Sequence, residues 1–276
     1  MILKPEYLMV FAVLMAYLVE ELLLFLILPM LANNGAVRKN YRQDDVPVAA
    51  GLAFPAVVMV CFAAIYLSGA YGGTSYNLYL MAIITMSFLG FVDDMLGQRD
   101  TLGLKGHLSK LILERQLTTG GLKALGGVLV AAYVSLFYSK SIPEFVLNAM
   151  LIGLFTNSMN LFDLRPGRCV KAFLVVFIAL FFTVKTDLLI FVPLFGAVVA
   201  YFRYDLKALV MMGDTGSNVL GVTLGIMAVY GLGLWARLSL LVVLIVLHIY
   251  TEKYSLTKTI EKYKVLNALD RLGRGD

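Results

Sequence analysis

Asn157-Ser-Met-Asn-Leu-Phe-Asp-Leu-Arg-Pro-Gly-Arg168 stands where an apolar run that begins near residue 145 comes to its end. At about 100° per residue, Asn157, Asn160 and Asp163 fall within roughly one third of a helix circumference, so two amides and a carboxylate share a face. Pro166 and Gly167 then terminate the helix, and Arg165 and Arg168 leave positive charge beside the carboxylate. Such an end can bind anions and a cation together. The run before it, about 18 residues with no charge after Glu144, has the length and character of a membrane span.

Composition extends that reading to the whole chain. Of 276 residues, 60% are hydrophobic and only 15% are charged, and the mean hydropathy is +0.84. This is a membrane composition, and it leaves no room for a separate soluble domain. Cys61, inside an apolar run, and Cys169, near a boundary, suggest neither a disulfide framework nor a metal site. The first apolar run, roughly residues 7–31, has no small-residue cleavage site behind a short core and is read as retained. Further spans are expected at about 48–68, 77–95, 122–139, 145–162, 170–185, 187–203, 217–233 and 236–251. The expected fold is therefore all-α, a polytopic helical membrane protein of about nine transmembrane helices. Residues 1–251 form the membrane domain and 252–276 a basic tail. The sixth and seventh spans are split only by Lys185, Thr186 and Asp187, but as one helix they would run about 50 Å, beyond the hydrocarbon core.

Loops between nine spans alternate sides, and one side collects 19 of the 23 Lys and Arg residues. The other keeps Lys4, Lys140, Lys185 and Arg237. The positive-inside rule then puts the N-terminus outside and the C-terminus in the cytoplasm. The net charge of +5 becomes a topology signal and not a nucleic-acid footprint. Asp93 and Asp94 end the third span, Asp163 ends the fifth and Asp214 precedes the eighth, so parity places all of them at the cytoplasmic face. Spans three and five run inward, which sets Asp93, Asp94 and Asp163 at helix C-termini, where negative charge is disfavoured by roughly 0.3–1 kcal/mol each. A cation should compensate. Mg2+, which takes one or two carboxylates plus phosphate oxygens, is the simplest candidate, and lysine or arginine partners are the plainer one. Singly, the acids at Asp93 and Asp94 could be a solvated boundary, and Gly213-Asp-Thr-Gly-Ser217 a turn and N-cap. The same glycines would let backbone N–H groups approach a phosphate. Three such sites on one face weigh toward a functional centre.

Phe91-Val-Asp-Asp94, Asn157-x-x-Asn160-x-x-Asp163 and Met212-Gly-Asp-Thr-Gly-Ser217 together resemble the motifs of the polyprenyl-phosphate N-acetylhexosamine-1-phosphate transferases, of the glycosyltransferase family 4 type. Arg38-Lys39 with Val46-Pro47 and Gly51 is similar to that family's first cytoplasmic loop, and the resemblance covers roughly residues 30–230. It implies transfer of a sugar 1-phosphate from a UDP-sugar donor to polyprenyl phosphate, with Mg2+ and release of UMP, in cell-envelope glycopolymer synthesis. It implies roles as well. Asp163 would hold Mg2+ on the pyrophosphate with support from Asp214, and Asp93 or Asp94 would deprotonate or position the lipid phosphate. Asn157, Asn160, Asp214 and Ser217 would contact the donor, Arg165 and Arg168 would grip its phosphates bidentately, and His107 lies on the side to meet phosphate. A homodimer is one assembly open to such a protein. The chain departs from the family where Leu164 and Pro166 replace the Gly and second Asp of Asp-Gly-x-Asp-Gly. It also lacks any histidine after Thr251, where the family has a histidine-rich loop and a further span. Arg99 and Lys105 are the candidates for the lysine that often follows the paired Asp.

Two non-enzymatic readings remain beside this one. A secondary transporter also carries intramembrane acids, near the midplane and often in paired repeats, and no repeat is visible here. A divergent scaffold or regulator would account for the altered central motif, against which the four aspartates argue. Glu20 and Glu21 are costly mid-span residues that point about 100° apart and are expected to pack against the bundle or a partner. In the tail, Tyr254, Leu256, Ile260, Tyr263, Leu266 and Leu269 alternate with six basic residues, which predicts an amphipathic helix on the cytoplasmic leaflet. The alternative is a solvated basic tail.

Overall fold

Each of the nine apolar runs becomes a helix, because a segment that must bury its backbone polar groups without water pairs them internally. The computed structural model of the protein describes residues 5–70, 72–97, 115, 117–185 and 187–274. Its long helices are α1 (Pro5–Asn33), α2 (Ala53–Leu67), α3 (Thr74–Leu96), α4 (Thr119–Tyr138), α5 (Ile142–Phe162), α6 (Arg168–Thr183), α7 (Val192–Leu206), α8 (Gly213–Gly231) and α9 (Leu234–Lys253). Among the described residues, seven helical segments are long and apolar enough to cross a membrane. α6 and α8 fall outside that set. α6, at 16 residues, rises only about 24 Å. α8 carries Thr215, Ser217, Asn218 and Thr223 and is buried from Thr215 to Val229, so protein rather than lipid surrounds it.

α8 is the axis of the bundle, and its glycines put it there. A Cβ on Gly221 would stand 2.3 Å from the Thr156 Cα, and one on Gly225 2.6 Å from the Ile152 Cα, so α5 and α8 touch backbone to backbone. Small residues allow this approach between membrane helices. Deeper polar groups on α8 find partners, as where the Thr223 and Tyr79 hydroxyls meet at 3.0 Å.

Helix polarity sorts the charges to two ends. At one end Arg237, nearly buried, donates to Asn148 at 2.6 Å and Glu144 at 2.7 Å, and Tyr76 donates to Asp187 at 2.9 Å. At the other end the last turns of α1, α3, α5 and α7 meet the first turns of α2, α4, α6 and α8. This second end also holds a feature that the all-helical expectation missed, a hairpin of β1 (Val37–Lys39) and β2 (Asp45–Pro47) with Arg38 opposite Val46. Asn40 closes it by accepting from the backbone of Arg42 and Asp44, and its amide reaches the Ala208 carbonyl at 3.2 Å. Glu21, at the α1–α7 contact, is engaged by Arg203 and by the Tyr204 hydroxyl. Glu20 is fully buried there, and neither of its carboxyl oxygens has a hydrogen-bond partner among the described residues.

The tail differs from the single amphipathic helix expected. It forms α10 (Leu256–Lys262) and α11 (Lys264–Arg271), broken at Tyr263, whose backbone is extended. Both pack at the end of the bundle that carries the turn between α5 and α6. Val265, Leu269 and Leu272 remain exposed.

Candidate active site

The N-terminus of a helix leaves backbone N–H groups without partners. At α8 they are met by a carboxylate from another helix. Asp94, in the last turn of α3, accepts from the Asp214 N–H at 3.0 Å and from the Thr215 N–H at 2.9 Å, and the Thr215 hydroxyl donates to it as well. Two glycines make room. Gly213 holds φ +71°, and a Cβ on it would stand 2.3 Å from the Asp94 Oδ2; a Cβ on Gly90 would stand 2.3 Å from the Asp214 carbonyl oxygen. Arg38 of the hairpin donates to the Asp94 carbonyl at 3.3 Å. Asp94 is thus committed to joining α3 and α8.

Asp93, its neighbour, turns to α4. Lys123, in the first turns of α4, lies 2.8 Å from the Asp93 Oδ2 and also pairs with Asp214. One ammonium therefore holds two acids from two helices together, with about a fifth of its side chain open to solvent. It answers the need for positive charge at these helix ends with a lysine that the sequence reading had used only for topology. Its signal was present: it is the only charged residue in its apolar run.

Asp163 caps the C-terminus of α5, its N–H bonded to the carbonyls of Met159 and Asn160. Burial first, and then the negative charges of Asp205, Asp214 and Asp94, push its carboxyl well above the usual carboxylate range. Among the described residues it has no ion pair. Hard oxygen donors without a cationic partner suit a hard divalent cation, so the Asp163 carboxylate fits Mg2+, with Asp214, itself paired with Lys123, as its acidic neighbour. No group of three or more His, Cys, Asp or Glu side chains stands at metal-binding distance among the described residues. The fit is therefore to the mode in which one or two carboxylates and substrate oxygens share the ion.

Several expected substrate contacts are already spent on the protein itself. Asn160 donates to the Asn218 side chain at 2.9 Å and accepts from the Ser217 hydroxyl, which locks α5 to α8. Ser217 is fully buried, with the Gly213 carbonyl 3.1 Å from its hydroxyl as an alternative acceptor, so the expectation that it meets the donor is corrected: helix packing has enclosed it. Asn157, one turn before Asn160, is exposed. Arg168 is corrected in the same way. The residue is only 4% exposed, and its guanidinium forks onto Asp270 at 2.7 and 2.9 Å and donates to Thr257 at 2.9 Å, so it is committed to the tail. Arg165 is half-buried over the Tyr41 ring, 5.6 Å from its centroid, and 4.0 Å from Glu261. His107, Arg99 and Lys105 lie outside the described residues. Asp205, which sequence reasoning passed over, is buried and accepts from the Gly167 N–H at 2.9 Å, fixing the turn after Asp163.

The model of Glycosyl transferase family 4 matches residues 76–232, which contain the aspartates at the close of α3 and α5 and the opening of α8. The chain is also similar to proteins named phospho-N-acetylmuramoyl-pentapeptide-transferase. It is 25% identical over 277 residues to that of Geobacillus kaustophilus (strain HTA426), covering 87% of this chain and 79% of the relative. It is 28% identical over 209 residues to that of Chlamydia abortus (strain DSM 27085 / S26/3), covering 66% and 59%. It is 24% identical over 204 residues to that of Clostridium beijerinckii (strain ATCC 51743 / NCIMB 8052), covering 69% and 62%.

Proposed function

The chain belongs to glycosyl transferase family 4, and from that membership we propose that it transfers an N-acetylhexosamine 1-phosphate from a UDP-sugar to a polyprenyl phosphate in the membrane. In that reaction a lipid phosphate oxygen attacks the donor's β-phosphorus, the pyrophosphate bond breaks, and UMP leaves. The barrier is repulsion between anions, so the work of the site is to place positive charge and hold the two phosphates in line. Mg2+, held by Asp163 with Asp214, would neutralise charge on the donor pyrophosphate.

The chain's own residues divide the remaining tasks. The observation that carries the reading is Lys123 between Asp93 and Asp214, at the bundle end where Asp163 also stands. Lys123 keeps an ammonium where phosphates converge, and Asp93 is the acid of the pair available to position the lipid phosphate or take its proton. Asp94 acts through structure, by fixing the first turn of α8 and so the position of Asp214. Four aspartates gathered at one end of the bundle favour a transferase over a transporter, with Glu20 and Glu21 of α1 the acids that stand apart from them. The family suggests the cytoplasmic face of the cell membrane as the place of reaction.

The test is transfer by the purified full chain from radiolabelled UDP-N-acetylglucosamine, and from other UDP-N-acetylhexosamines, to polyprenyl phosphate. Labelled lipid and UMP should appear with Mg2+, vanish with a chelator, and vanish in Asp163→Asn although that variant still inserts. Full transfer by Asp163→Asn would remove Asp163 from the centre, and no lipid product from any of these donors would refute the reading.

A further inference from the structure

The turn that follows Asp163 is held from two sides. On one side is Asp205 of α7, bonded to the Gly167 N–H. On the other is the end of the chain. Arg274 donates to the Pro166 carbonyl at 2.8 and 3.1 Å and to Asp270 at 3.2 Å. Arg168, at the start of α6 and 4% exposed, forks onto the same Asp270, itself 8% exposed. Lys171 donates to the carbonyls of Leu269 and Asp270, the last-turn acceptors of α11, at 3.0 and 2.7 Å. Two arginines, one from the start of α6 and one from the C-terminal segment, thus close on one buried carboxylate beside the turn.

The local chemistry of the turn explains why such a fixture matters. Gly167 is left-handed at φ +75°, and Pro166 has no N–H to bind the turn internally. Leu164 is exposed and contributes no buried anchor. Within the turn only the Leu164 N–H to Phe162 and Arg168 N–H to Arg165 bonds hold the backbone, at 2.9 and 3.2 Å, so Asp205 and the tail supply its main contacts from outside the loop among the described residues. A guanidinium fork sets orientation as well as distance, which a lysine would not.

We propose that Arg168, Asp270 and Arg274 are positioning residues, which clamp the C-terminal segment to the Asp163–Gly167 turn and so set where the Asp163 carboxylate stands. The inference rests on the transferase reading of Asp163. It assigns the tail a part in the site instead of a topological or solvated role, and it assigns Arg168 to the clamp and not to the donor.

Two variants of the full chain test it. Asp270→Asn keeps the shape of the side chain but removes the charge that both arginines share. Arg274→Gln removes the Pro166 contact and leaves the Arg168–Asp270 fork in place. Amide hydrogen exchange over residues 163–168 and steady-state transfer kinetics are measured on each. Exchange over 163–168 should rise in both variants while the first turns of α8 stay protected. The kcat should fall by about tenfold or more with little change in KM for polyprenyl phosphate, as a small misplacement of one catalytic group produces. Asp270→Glu should recover part of the loss. Unchanged exchange over 163–168 overturns the clamp whatever the activity, and exchange that rises across the whole bundle overturns a positioning role in favour of a general structural one. Unchanged kcat with raised exchange overturns the link to Asp163. A wild-type chain that transfers nothing, with exchange still raised by Asp270→Asn, defeats the transferase reading and not the clamp's hold on the turn.

Discussion

Lys123 shows how much one side chain decides at this end of the molecule. Its ammonium is shared by Asp93 and Asp214, so its removal leaves two half-buried carboxylates facing each other. Losing one partner of such a cluster costs about 3 kcal/mol, and losing a preorganised positive group at a phosphate site costs roughly a hundredfold or more in rate. Lys123→Met should therefore lower both the melting temperature and kcat, while Lys123→Arg should recover most of the stability and less of the rate. Equal stability and equal transfer in Lys123→Met would refute the bridge. Asp270 makes a second residue-scale prediction through pH. Burial alone raises its carboxyl, but the hydrogen bonds and charge of Arg168, with Arg274, outweigh burial and hold it below the usual carboxylate range. A depressed acid stabilises the docked state at pH above its ordinary value, and that contribution is lost as pH falls through the lowered one. Limited proteolysis of residues 264–274 should accelerate as pH drops below the ordinary carboxylate range. Asp270→Asn should be open at every pH.

The helices are set by contacts that single residues permit. Gly221 of α8 and Gly153 of α5 belong to the same helix pair, but only Gly221 lies in the contact between them. A Cβ at Gly221 meets the backbone of Thr156, whereas one at Gly153 has nothing within 4 Å. Gly221→Ala must push α5 and α8 apart and should cost roughly 1–3 kcal/mol, as overpacking does. Gly153→Ala should be neutral, or stabilising by up to about 1 kcal/mol from helix propensity. Thermal unfolding of the two variants in one detergent reads the difference, and equal melting temperatures would contradict the α5–α8 contact. Loss of that contact should also loosen the Asn160–Ser217 bond, so Gly221→Ala should lose transfer with stability.

At the scale of the molecule, the two ends differ in charge. The acids, Lys123, the hairpin and the tail gather at one end, and Arg237 with Glu144 and Asn148 at the other. By the positive-inside rule, the excess of basic residues in the loops of the first end predicts that it faces the cytoplasm. A reporter fused after Asp276 should report cytoplasm and one after Ser141 the exterior. A cytoplasmic signal at Ser141 would separate the aspartates from the face assigned to them.

The all-α membrane character and the positions of the long helices among the described residues were legible in the sequence, because apolar length is a local property that a bilayer reads directly, although seven of those helices and not nine are long and apolar enough to cross. So was the meeting of Asp93, Asp94, Asp163 and Asp214 at one end, since the parity of crossings fixes it whatever the loops do. What each polar residue does there was decided only by packing. Asp94 and Asp93 are adjacent and chemically identical, yet one caps α8 and the other meets Lys123, because the α8 backbone arrives on one side of α3 and α4 on the other. Ser217 and Asn160 were spent between helices, and Arg168 on Asp270, a residue 102 positions away. Sequence spacing places residues on a face of their own helix. Only the fold determines which other element covers that face, because contacts between distant segments depend on how every helix between them is packed.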